Sequence, residues 1–342
     1  MSGGASAPIG QVGVPERAAD LDLFKTLLVC GMIAAHCIQL LVFRPSLPAA
    51  IISETVNFIT FSGFLFAFGL GLGLSRSRPK SWALRLKPVA MLLLATWASE
   101  IAFIALVDKK PLLPELWNVL TLSRLYGWSE FLASFAVLYA VIALARPWLI
   151  ALASRWYLLV PAIILCLLST NITISLDIPL LATLVGTENF ASFPLLPYLP
   201  WFLIGIFYAR NRSYPALLDW ALACLATGAC VFFLIQTGNW PERFPPDALW
   251  IAGPALALLV YFSLARWLAR RVPLPSVMLA TGRHVLAALL VSNLIIFSLR
   301  NLFGFSLGQG WEPLAVIIAI IAATTLWAAL LELRRPRLHT AR

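Results

Sequence analysis

The sequence predicts an all-α membrane protein, a polytopic transmembrane helical bundle of about ten spans with both termini in the cytoplasm. Of its 342 residues, 61% are hydrophobic and only 12% are charged, whereas soluble domains carry about 25% charged residues. Apolar runs of about 20 residues, long enough to cross a bilayer as a helix, recur along the whole chain. The composition therefore excludes a water-soluble globule, a disordered chain and a disulfide framework.

The spans leave room for short loops but not for a soluble catalytic domain. We expect a disordered tail over 1–16, a single transmembrane domain over 17–335 and a basic cytoplasmic tail over 336–342. The ten spans are expected at 21–43, 52–74, 88–107, 129–146, 155–171, 194–209, 215–236, 247–268, 281–301 and 311–333.

The basic residues predict the orientation of these spans. With the N-terminus in the cytoplasm, nineteen of the 25 Lys and Arg residues fall on the cytoplasmic side and six on the outer side. Such a bias is the usual signature of membrane topology. The net charge of +10 therefore reflects topology, and we expect no nucleic-acid partner.

The first span carries ionisable residues where a membrane makes them expensive. Lys25 lies near its cytoplasmic end, and His36 follows eleven residues later. Eleven residues make about three helical turns, so both side chains share one face, about 16 Å apart along the axis. Gln39 continues the same stripe. Intramembrane ionisable residues usually mark functional sites.

Two carboxylates are expected at the depth of His36. Glu100 lies in the outer half of the third span, and Glu130 lies at the outer start of the fourth. An imidazole with a carboxylate partner in apolar surroundings can act as a general base. The sequence leaves open which carboxylate reaches His36, and it also allows His36 simply to hydrogen-bond a neighbouring helix.

The loop before the third span is strongly basic, with five cations within 75–88. This density suits the phosphates of a coenzyme or nucleotide, and it suits anionic lipid head groups equally well. The cations are Arg76, Arg78, Lys80, Arg85 and Lys87.

The glycine run in the second span, Gly69, Gly71 and Gly73, lacks the spacing and the preceding strand of a dinucleotide-binding turn. It predicts close helix packing or room for a ligand. The three histidines are scattered along the chain, so we expect no bound metal.

Four short motifs resemble the acyltransferase 3 family of integral membrane acyltransferases. Lys25-x10-His36 is similar to the family's Arg/Lys-x10-His motif, and the ten spans agree with its topology. The other three are Phe61-Ser62-Gly63-Phe64, Arg85-Leu86-Lys87-Pro88 and Gly282-Arg283-His284-Val285-Leu286.

One stretch is closer to a related group, and the chain departs from the pattern at two places, the first being Lys25, where Arg is commoner. The run from Phe193 to Gly205 is closer to the related heparan-α-glucosaminide N-acetyltransferase-like group. Where the family often has Tyr and His in the ninth span, this chain has Ala287 to Asn293.

The resemblance implies transfer of an acyl group, acetyl in the simplest case, across the plasma membrane (the inner membrane of a bacterium). Acyl-CoA would be a donor substrate rather than a permanently bound cofactor. Its phosphates would lie near Lys25, Arg76, Arg85, Lys87 and Arg283. His36 would act as general base or transient acyl carrier, with Glu100 and Glu130 beside an outer acceptor, which is a glycan or a lipid-linked sugar.

A transporter or flippase for a polar substrate is the alternative function. Pro194, Pro197 and Pro200 interrupt the sixth span, and broken helices often build transport sites. A non-catalytic membrane assembly subunit is a third hypothesis, under which Lys25 and His36 would be freely replaceable. The sequence does not predict an oligomeric state.

Overall fold

A computed structural model describes residues 16–75, 81–128, 130–172, 174–175, 178–188, 190–211, 215–304 and 307–334. The predicted fold class is confirmed: the described residues form a helical bundle without a β-sheet. The helices are α1 (Glu16–Leu41), α2 (Leu47–Leu74), α3 (Trp82–Phe103), α4 (Leu112–Thr121), α5 (Glu130–Ser154), α6 (Trp156–Leu168), α7 (Pro179–Leu184), α8 (Leu195–Asn211), α9 (Leu217–Thr237), α10 (Ala248–Ala252), α11 (Ala255–Arg271), α12 (Ser276–Arg283), α13 (Val285–Phe303) and α14 (Glu312–Leu333).

Local sequence signals set several helix ends. Proline occupies the first turn of α2, where its missing N–H leaves no hydrogen bond unmade. Ser81 caps α3, because its side chain accepts a hydrogen bond from the backbone N–H of Leu84. Gly238 ends α9 in the left-handed conformation, with φ of 70°, which suits a residue without a Cβ.

Within the described residues, eight helical segments are long and apolar enough to cross a membrane. They match eight of the ten predicted spans. The fifth and sixth predicted spans correspond to α6 and α8, which have 13 and 17 residues. A span usually needs about 20 residues. Helix α6 is shorter than the predicted span 155–171, whereas α8 has about the length of the predicted span 194–209.

The prolines of the sixth span do not break its helix. Pro194 precedes α8, and α8 continues through Pro200 to Asn211. The broken helix on which the transport hypothesis rested is therefore absent from this described segment.

The bundle has two ends. The Lys25 end holds Lys25, Ser75 at the end of α2, Arg146 of α5, Arg283 of α12 and Glu332 of α14. The His36 end holds Glu130, Phe193 and Arg243, which lie around His36. Helices α1 and α2 are antiparallel, since Gln39 donates a hydrogen bond to Ser53 while Leu21 faces Gly71.

Helix α1 lies at the centre and packs against α2, α11, α12, α13 and α14. A buried ion pair fixes its start, with Arg266 Nε of α11 2.8 Å from Asp20 Oδ2. Both side chains are only 9% exposed. Because a charge left alone in such a place is strongly destabilising, this pair locks α1 to α11.

The glycine run of α2 allows close helix packing and also borders a cavity, the two possibilities that the sequence left open. A Cβ at Gly69 would lie 2.0 Å from the carbonyl oxygen of Phe202, and one at Gly73 would lie 2.5 Å from the Cβ of Ala209. These two glycines therefore let α8 approach α2 closely. Gly71 faces another way and lines a cavity.

Some predictions fall outside the described residues. They concern Arg76, Arg78 and Lys80 of the basic loop, most of the 1–16 tail and the 336–342 tail.

Candidate active site

Helix α1 carries the two residues on which the predicted site depends. His36 is buried, with 6% of its surface exposed, and Lys25 lies about three turns earlier on the same face of one unbroken helix. The surrounding helices thus enclose a polar stripe that would be unfavourable next to lipid.

Asn293 of α13 is the hydrogen-bond partner of His36. The distance from His36 Nδ1 to Asn293 Oδ1 is 2.9 Å, and both residues are buried. An amide oxygen accepts, so Nδ1 carries the proton and Nε2 keeps its lone pair. The imidazole is thereby oriented with one nitrogen able to take up a proton.

Trp128 packs edge-on against the His36 ring, with the two ring centroids 4.7 Å apart. The segment that carries Trp128 is tied to α4: the Tyr126 hydroxyl donates to Glu115, and Ser123 donates to the Asn118 side chain at 3.0 Å. The hydrogen bond from Tyr126 lowers the pKa of the Glu115 carboxyl. These bonds hold Trp128 against His36.

A cavity of about 50 Å³ adjoins His36. Its polar lining comes from His36, Asn57, Thr60, Glu130 and Arg243, together with the indole of Trp128. A volume of this size holds a few water molecules. The cavity therefore brings an imidazole, a carboxylate and a guanidinium together in one space.

The two predicted carboxylates differ in position. Glu130 lines the His36 cavity. Glu100 is fully buried in α3 and does not line that cavity, and the backbone N–H of Tyr126 lies beside its carboxylate. Glu130 is thus the carboxylate that shares a space with His36.

A second, larger cavity of about 430 Å³ opens at the Lys25 end. Lys25 and Arg283 supply its cations, and Ser75, Tyr139 and Gly71 are among its other lining residues. It is the larger of the two cavities and the one with two cations.

Both cations of this cavity are held by carboxylates. Asp22 lies between them, 2.8 Å from Lys25 Nζ and 3.2 Å from Arg283 Nε. Glu332 of α14 approaches Arg283 NH1 to 3.0 Å. The two carboxylates fix the directions in which the cations point.

The remaining predicted donor-site cations lie elsewhere. Arg85 and Lys87 are exposed at the start of α3 and do not line the cavity of Lys25 and Arg283. The Arg85 guanidinium lies 5.1 Å from the centre of the Trp82 ring. Arg76 lies outside the described residues.

The two cavities follow one another along the groove between α1 and α2. Lys25 and Phe68 line the larger one, while His36 and Phe64 line the smaller one. Phe68 stacks on Phe135 of α5, with ring centroids 4.8 Å apart. Aromatic side chains therefore lie between the cation-lined cavity and the imidazole.

Sequence reasoning missed the roles of Asn293 and Arg243. Asn293 is a buried amide in the middle of a span. Because burying an amide is costly unless it is hydrogen-bonded, its position in the sequence already indicated a polar partner. Nothing in the sequence around Arg243 indicated a functional role, and it entered the sequence analysis only as one of the six Lys and Arg residues on the outer side. Its place beside His36 follows from a contact between segments about two hundred residues apart.

A family model described as an acyltransferase domain matches residues 18–333. No curated protein and no solved structure matches the chain. Because the match covers nearly the whole chain, the protein belongs to the acyltransferase 3 family and is a multi-pass membrane acyltransferase.

Proposed function

We propose that the protein transfers an acyl group, acetyl in the simplest case, from cytoplasmic acyl-CoA to a hydroxyl of an extracytoplasmic glycan or lipid-linked sugar. The observation that carries this proposal is the in-line arrangement of the two cavities. One holds a pair of cations, the other holds an oriented imidazole, and α1 joins them over about 16 Å.

The larger cavity suits the donor. Lys25 and Arg283 can hold phosphate oxygens by charge-assisted hydrogen bonds. The pantetheine arm of coenzyme A is a long, narrow chain that can extend along the groove toward His36. The cavity of about 430 Å³ is within the usual range for small-ligand sites.

The smaller cavity suits the chemical step. A sugar hydroxyl is a weak nucleophile at neutral pH and needs a base, and His36 Nε2 has the free lone pair for it. In the proposed step, Nε2 takes the hydroxyl proton while the oxygen attacks the thioester carbon. The carbon–sulfur bond then breaks, and the leaving CoA thiolate takes this proton from the imidazolium. Glu130 stabilises the intervening imidazolium by its charge.

The charge distribution supports the proposed orientation. In the topology predicted from the sequence, the Lys25 end is on the side with nineteen of the 25 Lys and Arg residues, as expected for the cytoplasmic face. The donor would then enter from the cytoplasm and the acceptor from the opposite side. In a bacterium this membrane would be the inner membrane, and the product an O-acylated component of the cell envelope.

The test uses purified protein in lipid vesicles with labelled acetyl-CoA and a membrane-glycan extract. Wild-type protein should release free CoA and label the glycan, and His36→Ala should do neither. Gln39→Ala is the matched control, because Gln39 lies one turn further along α1 and bonds Ser53 outside the cavity; it should behave as wild type.

Two outcomes would contradict the proposal. If wild-type protein transfers no label from acetyl-CoA, succinyl-CoA or longer acyl-CoAs, the donor class is wrong. If His36→Ala and wild type transfer label equally well, the reaction stands but the assignment of its base is wrong.

A further inference from the structure

Arg243 lines the same cavity as His36 and Glu130, although it belongs to the loop between α9 and α10. Arg243 is the one Lys or Arg residue among the described residues that line this cavity. Neither the family match nor the motifs of the sequence give it a role.

Two aromatic rings hold the Arg243 side chain in place. Its guanidinium carbon lies 5.1 Å from the centre of the Phe193 ring and 4.7 Å from that of Phe244, both within the range of a cation–π contact. The Phe193 ring packs against Phe61 with centroids 4.4 Å apart, and the Phe193 carbonyl accepts a hydrogen bond from Ser134. The guanidinium thus rests on a fixed support built from α2 and α5.

Despite this fixed position, Arg243 forms no close ion pair within the part of the chain that the structure describes, although it shares the cavity with the Glu130 carboxylate. None of the described carboxylates forms an ion pair with it. Its Nε is buried and has no hydrogen-bond partner among the described residues. A buried donor without a partner is costly unless something else uses it.

Acyl transfer creates a negative charge that needs such a donor. When the acceptor oxygen attacks the thioester carbon, the carbonyl electron pair moves to the carbonyl oxygen, which becomes an oxyanion. In an enclosed cavity, donors already aimed at that oxygen lower the barrier strongly. His36 Nδ1 is engaged with Asn293 and Nε2 is the base, so the imidazole does not supply this donor at the moment of attack.

We infer that Arg243 stabilises the oxyanion of the tetrahedral intermediate; this inference rests on the proposed function. The new bond joins the acceptor oxygen to the acyl carbon, and the hydroxyl proton moves to His36 Nε2. The oxyanion forms beside the Arg243 guanidinium, with the Asn57 amide as a second donor in the lining. Collapse then restores the carbonyl, breaks the carbon–sulfur bond and returns the proton to the CoA thiolate.

The test compares wild type with Arg243→Gln and Arg243→Lys under the vesicle conditions given above. Loss of one oxyanion donor lowers kcat by about 100- to 1,000-fold, so Arg243→Gln should show a loss of this size with an unchanged KM for acetyl-CoA. Arg243→Lys keeps the charge but not the planar donor set and should be intermediate. Arg44→Gln is the matched control, because the Arg44 guanidinium also lies over a phenylalanine ring, at 5.3 Å from Phe43, outside the cavity.

A non-reactive donor analogue separates this role from a structural one. In the analogue, a methylene group stands between the sulfur and the carbonyl carbon, so no thioester can be cleaved. Arg243→Gln should bind it with the wild-type dissociation constant, because the oxyanion exists only after attack. A misfolded variant would lose analogue binding together with activity.

Three results would overturn the inference. The first is an Arg243→Gln variant with the wild-type kcat. The second is a rise only in the KM for the acceptor, which would make Arg243 an acceptor-binding residue. The third is a loss of activity that arises only because Arg243 positions Glu130. In the last case, adding Glu130→Gln to Arg243→Gln would cause no further loss. Wild-type protein without any acyl transfer would instead contradict the proposed function, and the inference with it.

Discussion

Asn293 determines which nitrogen of His36 is available for chemistry. Its amide oxygen lies 2.9 Å from Nδ1, which holds the proton on that nitrogen and leaves Nε2 as the nitrogen able to accept a proton. An orienting partner of this kind acts through the residue it positions rather than on the substrate. Asn293 is therefore a positioning residue, and the other functional groups of the cavity depend on it indirectly.

Replacing Asn293 by Leu should lower kcat by about 5- to 150-fold, because leaving the buried imidazole N–H without its acceptor costs roughly 1–3 kcal/mol. Asn293→Asp keeps an acceptor oxygen in place and should retain more activity than Asn293→Leu. Ser292→Ala is the control, since Ser292 bonds only the Leu289 carbonyl. Steady-state kinetics on the three variants decides the matter: equal losses in Asn293→Leu and Asn293→Asp would mean that packing, not the hydrogen bond, matters at this position.

At the scale of elements, the contact between α2 and α8 depends on missing side chains. Gly69 and Gly205 each face backbone of the other helix, and an added Cβ would come within 2.0 Å and 2.2 Å of a carbonyl oxygen. Because α2 lines both cavities, a shift of α2 against α8 would disturb the whole groove.

Gly69→Ala should therefore destabilise the protein by about 1–3 kcal/mol, as overpacking usually does. The matched control is Gly228→Ala in α9, where nothing lies within 4 Å of the new Cβ; the higher helix propensity of alanine should leave the protein equally or slightly more stable. Thermal unfolding in detergent measures both. Equal melting temperatures for the two variants would show that α8 can move away at little cost.

Much of this element scale could be predicted from sequence, and the exceptions have physical reasons. Hydropathy located the long helices, and helical geometry placed Lys25 and His36 on one face, because both depend on neighbouring residues alone. Helix α6 ends before the predicted span 155–171 does, because Ser169–Asn171 form a separate 3-10 turn, a local change of helix type that hydropathy does not register. Arg243 reaches the site through a tertiary contact, which leaves no periodic trace in the sequence.

At the scale of the whole molecule, the charges around the cavity of Lys25 and Arg283 nearly cancel. The cations Lys25 and Arg283 are matched by Asp22 and Glu332, which lie within hydrogen-bonding distance of them. A balanced set of charges gives a weak field outside the cavity. An anionic donor approaching from solution is therefore attracted by other residues first.

Because these charges nearly cancel, we expect different residues to set the association rate and the dissociation rate of the donor. Exposed cations such as Arg85 and Lys87 should accelerate arrival, and Lys25 and Arg283 should slow departure once phosphate displaces their carboxylates. In stopped-flow experiments, Arg85→Gln with Lys87→Gln should lower the association rate of acetyl-CoA and weaken its dependence on ionic strength. Lys25→Ala should mainly raise the dissociation rate. The reverse pattern would mean that the donor meets Lys25 directly on arrival, without an outer stage of electrostatic guidance.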